Sequence, residues 1–261
     1  MLNKFIKKTN IRPPFVFQKP YIPWHLKVLF STTASSRAFY KEYIKVLYNQ
    51  EPLCQERWNN ILNDTLGKPQ WVNLYRASFY VISDSYTKWF QYRIINQILG
   101  TRQYLKKIGL TDTETCWLCH STSETLKHLL AECPESNELW KNVTTWVKNK
   151  IGINLRIGNV EKILGYHYCD KNFTPVNFLL LHTRKYIFWC ARKNHSLNFY
   201  FLQSTLKQFL FEEETLAKLN NTIEKFNYLW DSWKILFWLN FWVVKYMYML
   251  NCVPVDKLIW K

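Results

Sequence analysis

The sequence predicts an all-α protein, and two observations support this prediction. Apolar side chains recur at spacings near 3.6 residues in several stretches, which is the period of an amphipathic helix. Glycine occurs only six times in 261 residues, whereas sheet-rich barrels usually need many glycine-containing hairpins. The chain also has no GxGxxG or GxxxxGKS/T loop, which excludes a dinucleotide-binding or P-loop enzyme.

Six stretches carry the helical period, and residues that favour helix ends bound three of them. Gly100 and Gly152 stand where two of the predicted helices should stop, because glycine suits the position that follows a helix. Pro175 begins another run. The stretches are predicted as single stripes over residues 39–47, 58–62, 86–99, 139–147, 175–189 and 216–233.

The positive charge is concentrated near the N-terminus. The net charge is +16, and the first 50 residues hold nine Lys or Arg against one acid, a net of +8. A basic arm before a nearly neutral body favours a nucleic-acid partner, although it also fits an acidic membrane surface or a solvated arm without a partner. A second basic group, Arg184, Lys185, Arg192 and Lys193, has both a binding interpretation and a structural one, the stabilisation of a helix C-terminus.

The first 24 residues hold four prolines among basic and aromatic residues, which predicts an extended connector. Because a connector normally follows another domain, we expect the chain to begin in mid-protein. Seven cysteines, an odd number, do not indicate a secreted disulfide framework, and residues 1–15 do not resemble a signal peptide. An intracellular location is predicted, without a choice between nucleus and cytoplasm.

One cluster has metal-ligand spacing, C-x2-C-x8-H-x4-C, formed by Cys116, Cys119, His128 and Cys133. Thiolates and imidazole are the ligands that tetrahedral zinc prefers, so one zinc ion is predicted in a small knuckle between helices. Four protein ligands leave no open position for water, which indicates a structural zinc. No HExxH or GxSxG motif is present either, and the chain is predicted not to be an enzyme.

The residues around the ligands predict the local backbone. Ser121 and Glu124 have capping-box spacing, so a helix carrying His128 is expected to begin near Thr122. Because five residues turn an ideal helix well past one full turn, Cys133 must lie on a distorted last turn to reach the same metal. His120 is a possible substitute ligand that we leave outside the set. The other cysteines, at positions 54, 169, 190 and 252, are predicted to be core thiols.

The chain from about Trp58 to Trp146 resembles the zinc-binding region that follows the reverse transcriptase of LINE-type (non-LTR) retrotransposons. The motifs that carry the resemblance are Trp89–Ile94, Ile98–Thr101, Leu105, Gly109–Leu110, the Cys116-x2-Cys119 pair, Glu124–Thr125, His128–Leu129, Cys133 and Trp140. Weaker similarity extends back to Ser35 and forward to Lys193. The resemblance implies binding of RNA and target DNA, with a polymerase domain upstream in the same chain. No polymerase-type Asp-Asp pair occurs here, so a truncated element or relic is expected.

A zinc held by three thiolates and a neutral imidazole carries a formal charge of −1, so phosphates must be attracted by nearby cations. The candidate nucleic-acid-binding residues are Arg93, Arg102, Lys106, Lys107 and Lys127, with Trp117 as a base-stacking side chain. Trp117 has an alternative role, packing the back of the knuckle against the helix of Trp89.

Five segments are predicted: a connector (1–34), a helical region (35–110), the zinc module with its following helix (111–150), a C-terminal helical region (151–233) and an apolar tail (234–261). The apolar run 235–250 is too short for a typical membrane span and contains Asn240 and Lys245. It is predicted to be a buried or docking helix, with membrane association and unpacked, aggregation-prone sequence as alternatives. Two functions therefore compete with nucleic-acid binding: a protein-interaction domain with a structural zinc, and a membrane-associated protein.

Overall fold

The fold is known from a computed structural model that describes residues 35–47, 52–167 and 173–238. The chain divides into two compact units, residues 1–52 and 53–261. The first unit contributes helix α1 (Ser36–Leu47), where the sequence predicts a helix. The predicted connector, Cys169, Cys252 and most of the apolar tail lie outside the described residues.

The described part of the second unit consists of helices and connecting loops without a strand, which confirms the all-α prediction. The only β pairing in that part is an isolated bridge between Thr115 and Ser123. Its α-helices are α2 (Leu53–Leu62), α3 (Lys68–Val81), α4 (Ser85–Ile95), α5 (Arg102–Lys107), α6 (Pro134–Ile151), α7 (Asn159–Ile163), α8 (Thr174–Lys193), α9 (Phe199–Leu219), α10 (Ile223–Trp230) and α11 (Lys234–Trp238). A π-helical turn (His128–Glu132) precedes α6, and a 3-10 turn (Asp231–Trp233) precedes α11.

Helix α8 is the centre of the second unit. It is apolar on nearly every side, and 15 of its 20 residues are buried, as expected of a helix that other elements surround. It contacts α3, α4, the π-helical turn, α7, α9 and α10. The prediction of a helix starting at Pro175 is confirmed.

Arg184 of α8 connects α4 to α7 through hydrogen bonds. Its guanidinium is buried and donates to the Gln91 side chain and the Glu161 carbonyl, each at 3.1 Å. Burial lowers the pKa of Arg184 to about 9. Gly165 has a φ of +96°, and a Cβ there would stand 2.9 Å from Asn177 Oδ1, so the chain needs glycine where it passes this buried layer.

The basic group of α8 is mainly structural. Arg184 is in the core, Lys185 forms an ion pair with Asp84 at 3.6 Å, and Arg192 pairs with Glu124. Lys193 is exposed in the last turn, where a positive charge stabilises the helix dipole. The binding interpretation of this group therefore has little support.

Helix α6 matches its predicted stripe: the apolar face from Leu139 to Val147 is buried, and Gly152 ends the helix with a φ of +72°. Two other stripes are wrong as single helices. The predicted 86–99 helix ends at Ile95 because Asn96 caps it and Gln97 turns left-handed with a φ of +57°. The predicted 216–233 helix is interrupted in the same way at Asn221, where φ is +54°.

The start of the apolar tail is folded onto the unit. In α11, Leu236 and Phe237 are buried, and Phe237 packs edge-on against Trp146 with ring centroids 5.8 Å apart. These contacts favour the docking-helix interpretation for residues 234–238. Within the described ranges, no helix combines the length and the apolarity that spanning a bilayer requires.

Candidate metal centre and its surroundings

The four predicted zinc ligands lie together between α5 and α6. The ligand atoms of Cys116, Cys119, His128 and Cys133 are all within 4.8 Å of one another. Two ligands about 2.3 Å from a tetrahedral zinc lie roughly 3.8 Å apart, so a small contraction brings all four to one ion. Three sulfurs and one imidazole are a donor set that zinc favours, and the residues fit this metal.

The first two ligands are on a tight loop. The backbone N–H of His120 donates to the carbonyl of Cys116 at 3.0 Å, and the N–H of Cys116 donates to the carbonyl of Thr122 at 2.7 Å. His120 adopts a left-handed φ of +54° and is exposed. The loop thus directs Cys116 and Cys119 to one side and leaves His120 outside the ligand cluster, as predicted.

The other two ligands are brought together by the π-helical turn. The N–H of Cys133 donates to the carbonyl of His128 at 2.7 Å, a bond across five residues instead of four. The extra residue per turn places both side chains against the same space, and such turns are frequent at functional sites. The prediction that Cys133 lies on a distorted turn is confirmed.

The predicted capping box is wrong. The helix that carries His128 begins at Leu126, and the hydroxyl of Thr125 accepts from the N–H of His128 at 2.9 Å. Glu124 does not cap this helix. Its side chain is fully buried and points under the ligand loop, where it accepts from the backbone N–H groups of Arg102 (2.9 Å) and Trp117 (3.1 Å).

Hydrogen bonds around the cluster favour the thiolate form of two cysteines, which is the form that binds a metal. Burial alone would raise the pKa of Cys119, but bonds from the Ser121 hydroxyl and from backbone N–H groups outweigh it and lower this pKa to about 5. The hydrogen bond between Cys116 and Cys133 raises the pKa of the first thiol and lowers that of the second.

The predicted nucleic-acid-binding residues fall into separate environments. Arg93 is half-buried, and burial lowers its pKa. The Arg102 guanidinium lies 4.0 Å from the centre of the Trp117 ring and covers that face. Trp117 also packs against the buried core, which favours its packing role on that side.

The three predicted lysines divide between two surroundings. Lys106 is exposed and pairs with Glu114 at 3.7 Å, whereas Lys107 and Lys127 line one open cleft of about 810 Å³. Sequence reasoning missed Arg57 of α2, which lines the same cleft. In the sequence, Arg57 is a single basic residue next to Trp58, and no motif there indicates a role in the site.

The helical region around the cluster of three cysteines and one histidine matches a known family model. Residues 53–140, from α2 into α6, match the family model described as zinc-binding in reverse transcriptase. The match covers the four predicted ligands and confirms, over these residues, the resemblance to a zinc-binding region of reverse transcriptases. The weaker similarity predicted before and after them lies outside the match. No curated protein matches the chain.

Proposed function

We propose that residues 111–150 bind one structural zinc ion through Cys116, Cys119, His128 and Cys133, and that the module attaches the protein to RNA or DNA. The observation that carries the metal proposal is the convergence of the four ligand atoms within 4.8 Å. The closed donor set leaves the zinc a structural role, in holding the loop of Trp117 against the turn before α6.

The nucleic-acid proposal rests on the family match and on the cations around the knuckle. Lys106 and Lys107 are both exposed at the end of α5, and binding by such side chains is electrostatic and depends on salt. Within this proposal the module serves a reverse transcriptase of the LINE type, whose polymerase is a separate domain. The predicted relic status stays a prediction, because it depends on sequence outside this chain.

The test is binding of labelled RNA and DNA over a range of salt concentrations, with zinc measured on the same sample. Lys106→Ala/Lys107→Ala should weaken binding to all sequences alike and flatten the log–log salt slope by about 0.7 per lost contact on a single strand. The exposed pair Lys148→Ala/Lys150→Ala, at the end of α6, is the matched control. If the first variant keeps the affinity and the salt slope of the wild type, the knuckle has a structural role only and does not bind nucleic acid.

A protein-interaction module is the second candidate, and one observation favours it. Helices α3 and α4 present five exposed aromatic side chains, which we call the aromatic face, and Trp89 and Tyr92 in it are stacked 4.8 Å apart. The members of the aromatic face are Phe79, Tyr80, Tyr86, Trp89 and Tyr92. Large exposed apolar patches mark interaction sites, and this candidate leads if no nucleic acid binds.

A further inference from the structure

We propose that the cleft between α2, α5 and the helix of His128 receives an unstacked base of a single-stranded nucleic acid, with the adjoining phosphates on Arg57 and Lys107. This inference rests on the nucleic-acid binding proposed above and assigns it a place. The cleft has a volume of about 810 Å³, within the range of about 300–1,000 Å³ that small-molecule sites occupy.

The accessible apolar surface of the cleft includes an aromatic ring. Trp58 and Leu99 are fully buried beneath the cleft and form its support, whereas Ile61 is exposed in its wall. Tyr104 adds a half-buried ring. A surface of this kind accepts the face of a base, because base–aromatic stacking tolerates any base.

The rim of the cleft is positively charged. Arg57 and Lys107 are exposed, and neither has an ion-pair partner among the residues that the structure describes. Lys127 is the third cation, but Glu132 neutralises it at 2.9 Å. Two cations on different helices are therefore left for phosphates on the two sides of an inserted base.

Gln97 lines the cleft and, among the described residues, has a side-chain hydrogen-bond donor without a partner. Its side-chain Nε2 is buried and lacks a hydrogen-bond partner in the described part of the chain. Its backbone is left-handed, with a φ of +57°, a conformation that is uncommon for glutamine and that glycine adopts without strain. A buried donor without a partner is costly, and the edge of a bound base would satisfy it when the Gln97 side chain turns toward the cleft. Every base offers such an acceptor on its edge.

A single strand fits this arrangement better than a duplex. Bases in a duplex are stacked and paired, so their faces are covered. Proteins that stack aromatic side chains on bases bind single strands, in which the bases are unstacked. The cleft requires the face and one edge of a base together. An intact duplex offers phosphates to the rim but no base to the interior.

The experiment measures binding of the full, zinc-loaded chain to three fluorescent probes of equal length: a single-stranded RNA, a single-stranded DNA and an abasic deoxyribose-phosphate strand. Arg57→Ala/Lys107→Ala should lower affinity for the two strands with bases roughly tenfold or more at about 0.1 M salt and flatten the salt slope by up to about 1.4. The control Arg76→Ala/Lys148→Ala removes the same charges from exposed positions that do not line the cleft.

Gln97→Gly separates binding from folding. Because glycine tolerates the left-handed backbone, this variant should be at least as stable as the wild type, yet bind the RNA and DNA strands roughly three- to tenfold more weakly. Its affinity for the abasic strand should not change. Equal binding of abasic and base-containing strands by the wild type would overturn base insertion.

The outcomes distinguish this inference from the function it rests on. If the wild type binds none of the probes, the nucleic-acid function fails and the cleft proposal fails with it. If the wild type binds but the cleft variant equals its charge-matched control, the cleft proposal alone is overturned.

Discussion

The buried carboxylate of Glu124 is hydrogen bonded to the guanidinium of Arg192, near the end of α8. The same carboxylate accepts from the backbone N–H of Trp117, which lies between the proposed ligands Cys116 and Cys119. Arg192 in turn lies over the ring of Phe188, 5.5 Å from its centre. The loop of Cys116 and Cys119, here called the zinc loop, is therefore connected to the central helix α8 through the side chain of Glu124. Helix α8 itself lies outside the family match.

Arg192→Met should destabilise the second unit strongly, because it leaves the buried charge of Glu124 without a counter-charge, with only its two backbone N–H donors. Removal of one partner of a buried pair typically costs about 3–5 kcal/mol. Urea unfolding of the zinc-loaded protein measures the loss. Lys193→Met, at the exposed neighbouring position, is the control and should cost far less.

The double variant Glu124→Gln/Arg192→Met should lose less stability than Arg192→Met alone, since no unpaired charge remains. The amide oxygen keeps one of the two backbone bonds, because the N–H groups of Arg102 and Trp117 donate to different oxygens of Glu124. If the two substitutions prove additive, the ion pair is not the connection between the zinc loop and α8.

The stability of the second unit should fall as pH drops below about 6.5, in part through His182. Burial lowers the pKa of His182 well below 6.5, and the neighbouring charge of Lys185 adds to this effect. Its ring is stacked on Phe209 at 4.3 Å. Below about pH 6.5, His182 therefore binds a proton in the unfolded chain but not in the folded chain. The contribution of His182 to stability is full above its unfolded pKa and is lost as the pH falls below it.

His182→Phe should remove this part of the acid sensitivity. Between pH 7.5 and 5.5, the free energy of unfolding of the variant should improve relative to the wild type by about 1 kcal/mol. Unfolding is followed in urea with zinc content checked at both pH values. Parallel pH dependences of the two proteins would show that His182 is protonated equally in the folded and unfolded chains.

Much of the fold follows from local sequence, because α6 and α8 are specified by strong patterns and by residues at their ends. A distorted turn before Cys133 was also predictable, since the x4 spacing of His128 and Cys133 cannot reach one metal from a regular helix. Its π-helical form was not predicted. The boundaries at Asn96 and Asn221 were not found. In both places an apolar stripe continues in phase across a polar residue that turns the backbone left-handed, and periodicity alone does not register such a turn.

The surroundings of the site depended on tertiary contacts that no local pattern reports. Glu124 resembled a capping residue by spacing, but its carboxylate is used by groups from α5, the zinc loop and α8. Helix α3 was missed although Trp71, Leu74 and Val81 lie on its buried face. Arg57 lies in the same cleft as Lys107 and Lys127 only because the tertiary fold brings α2 beside α5 and the helix of His128.

The purified chain should extend no primer on an RNA or DNA template. Two-metal polymerisation needs a pair of carboxylates to hold magnesium, and the sequence contains no Asp-Asp pair. The assay uses magnesium, all four nucleotides and protein free of contaminating polymerase. Magnesium-dependent synthesis by such a sample would contradict the assignment of this chain as an accessory module.

Elemental analysis of the purified protein tests the central claim most directly. We expect one zinc per chain, with loss of the metal in Cys116→Ser/Cys133→Ser and its retention in the control Cys54→Ala, whose buried thiol lies outside the cluster. Because structural zinc is worth on the order of 10 kcal/mol in small modules, chelation should unfold the knuckle locally. Absence of zinc from the wild type, or full retention in the double variant, would contradict the account.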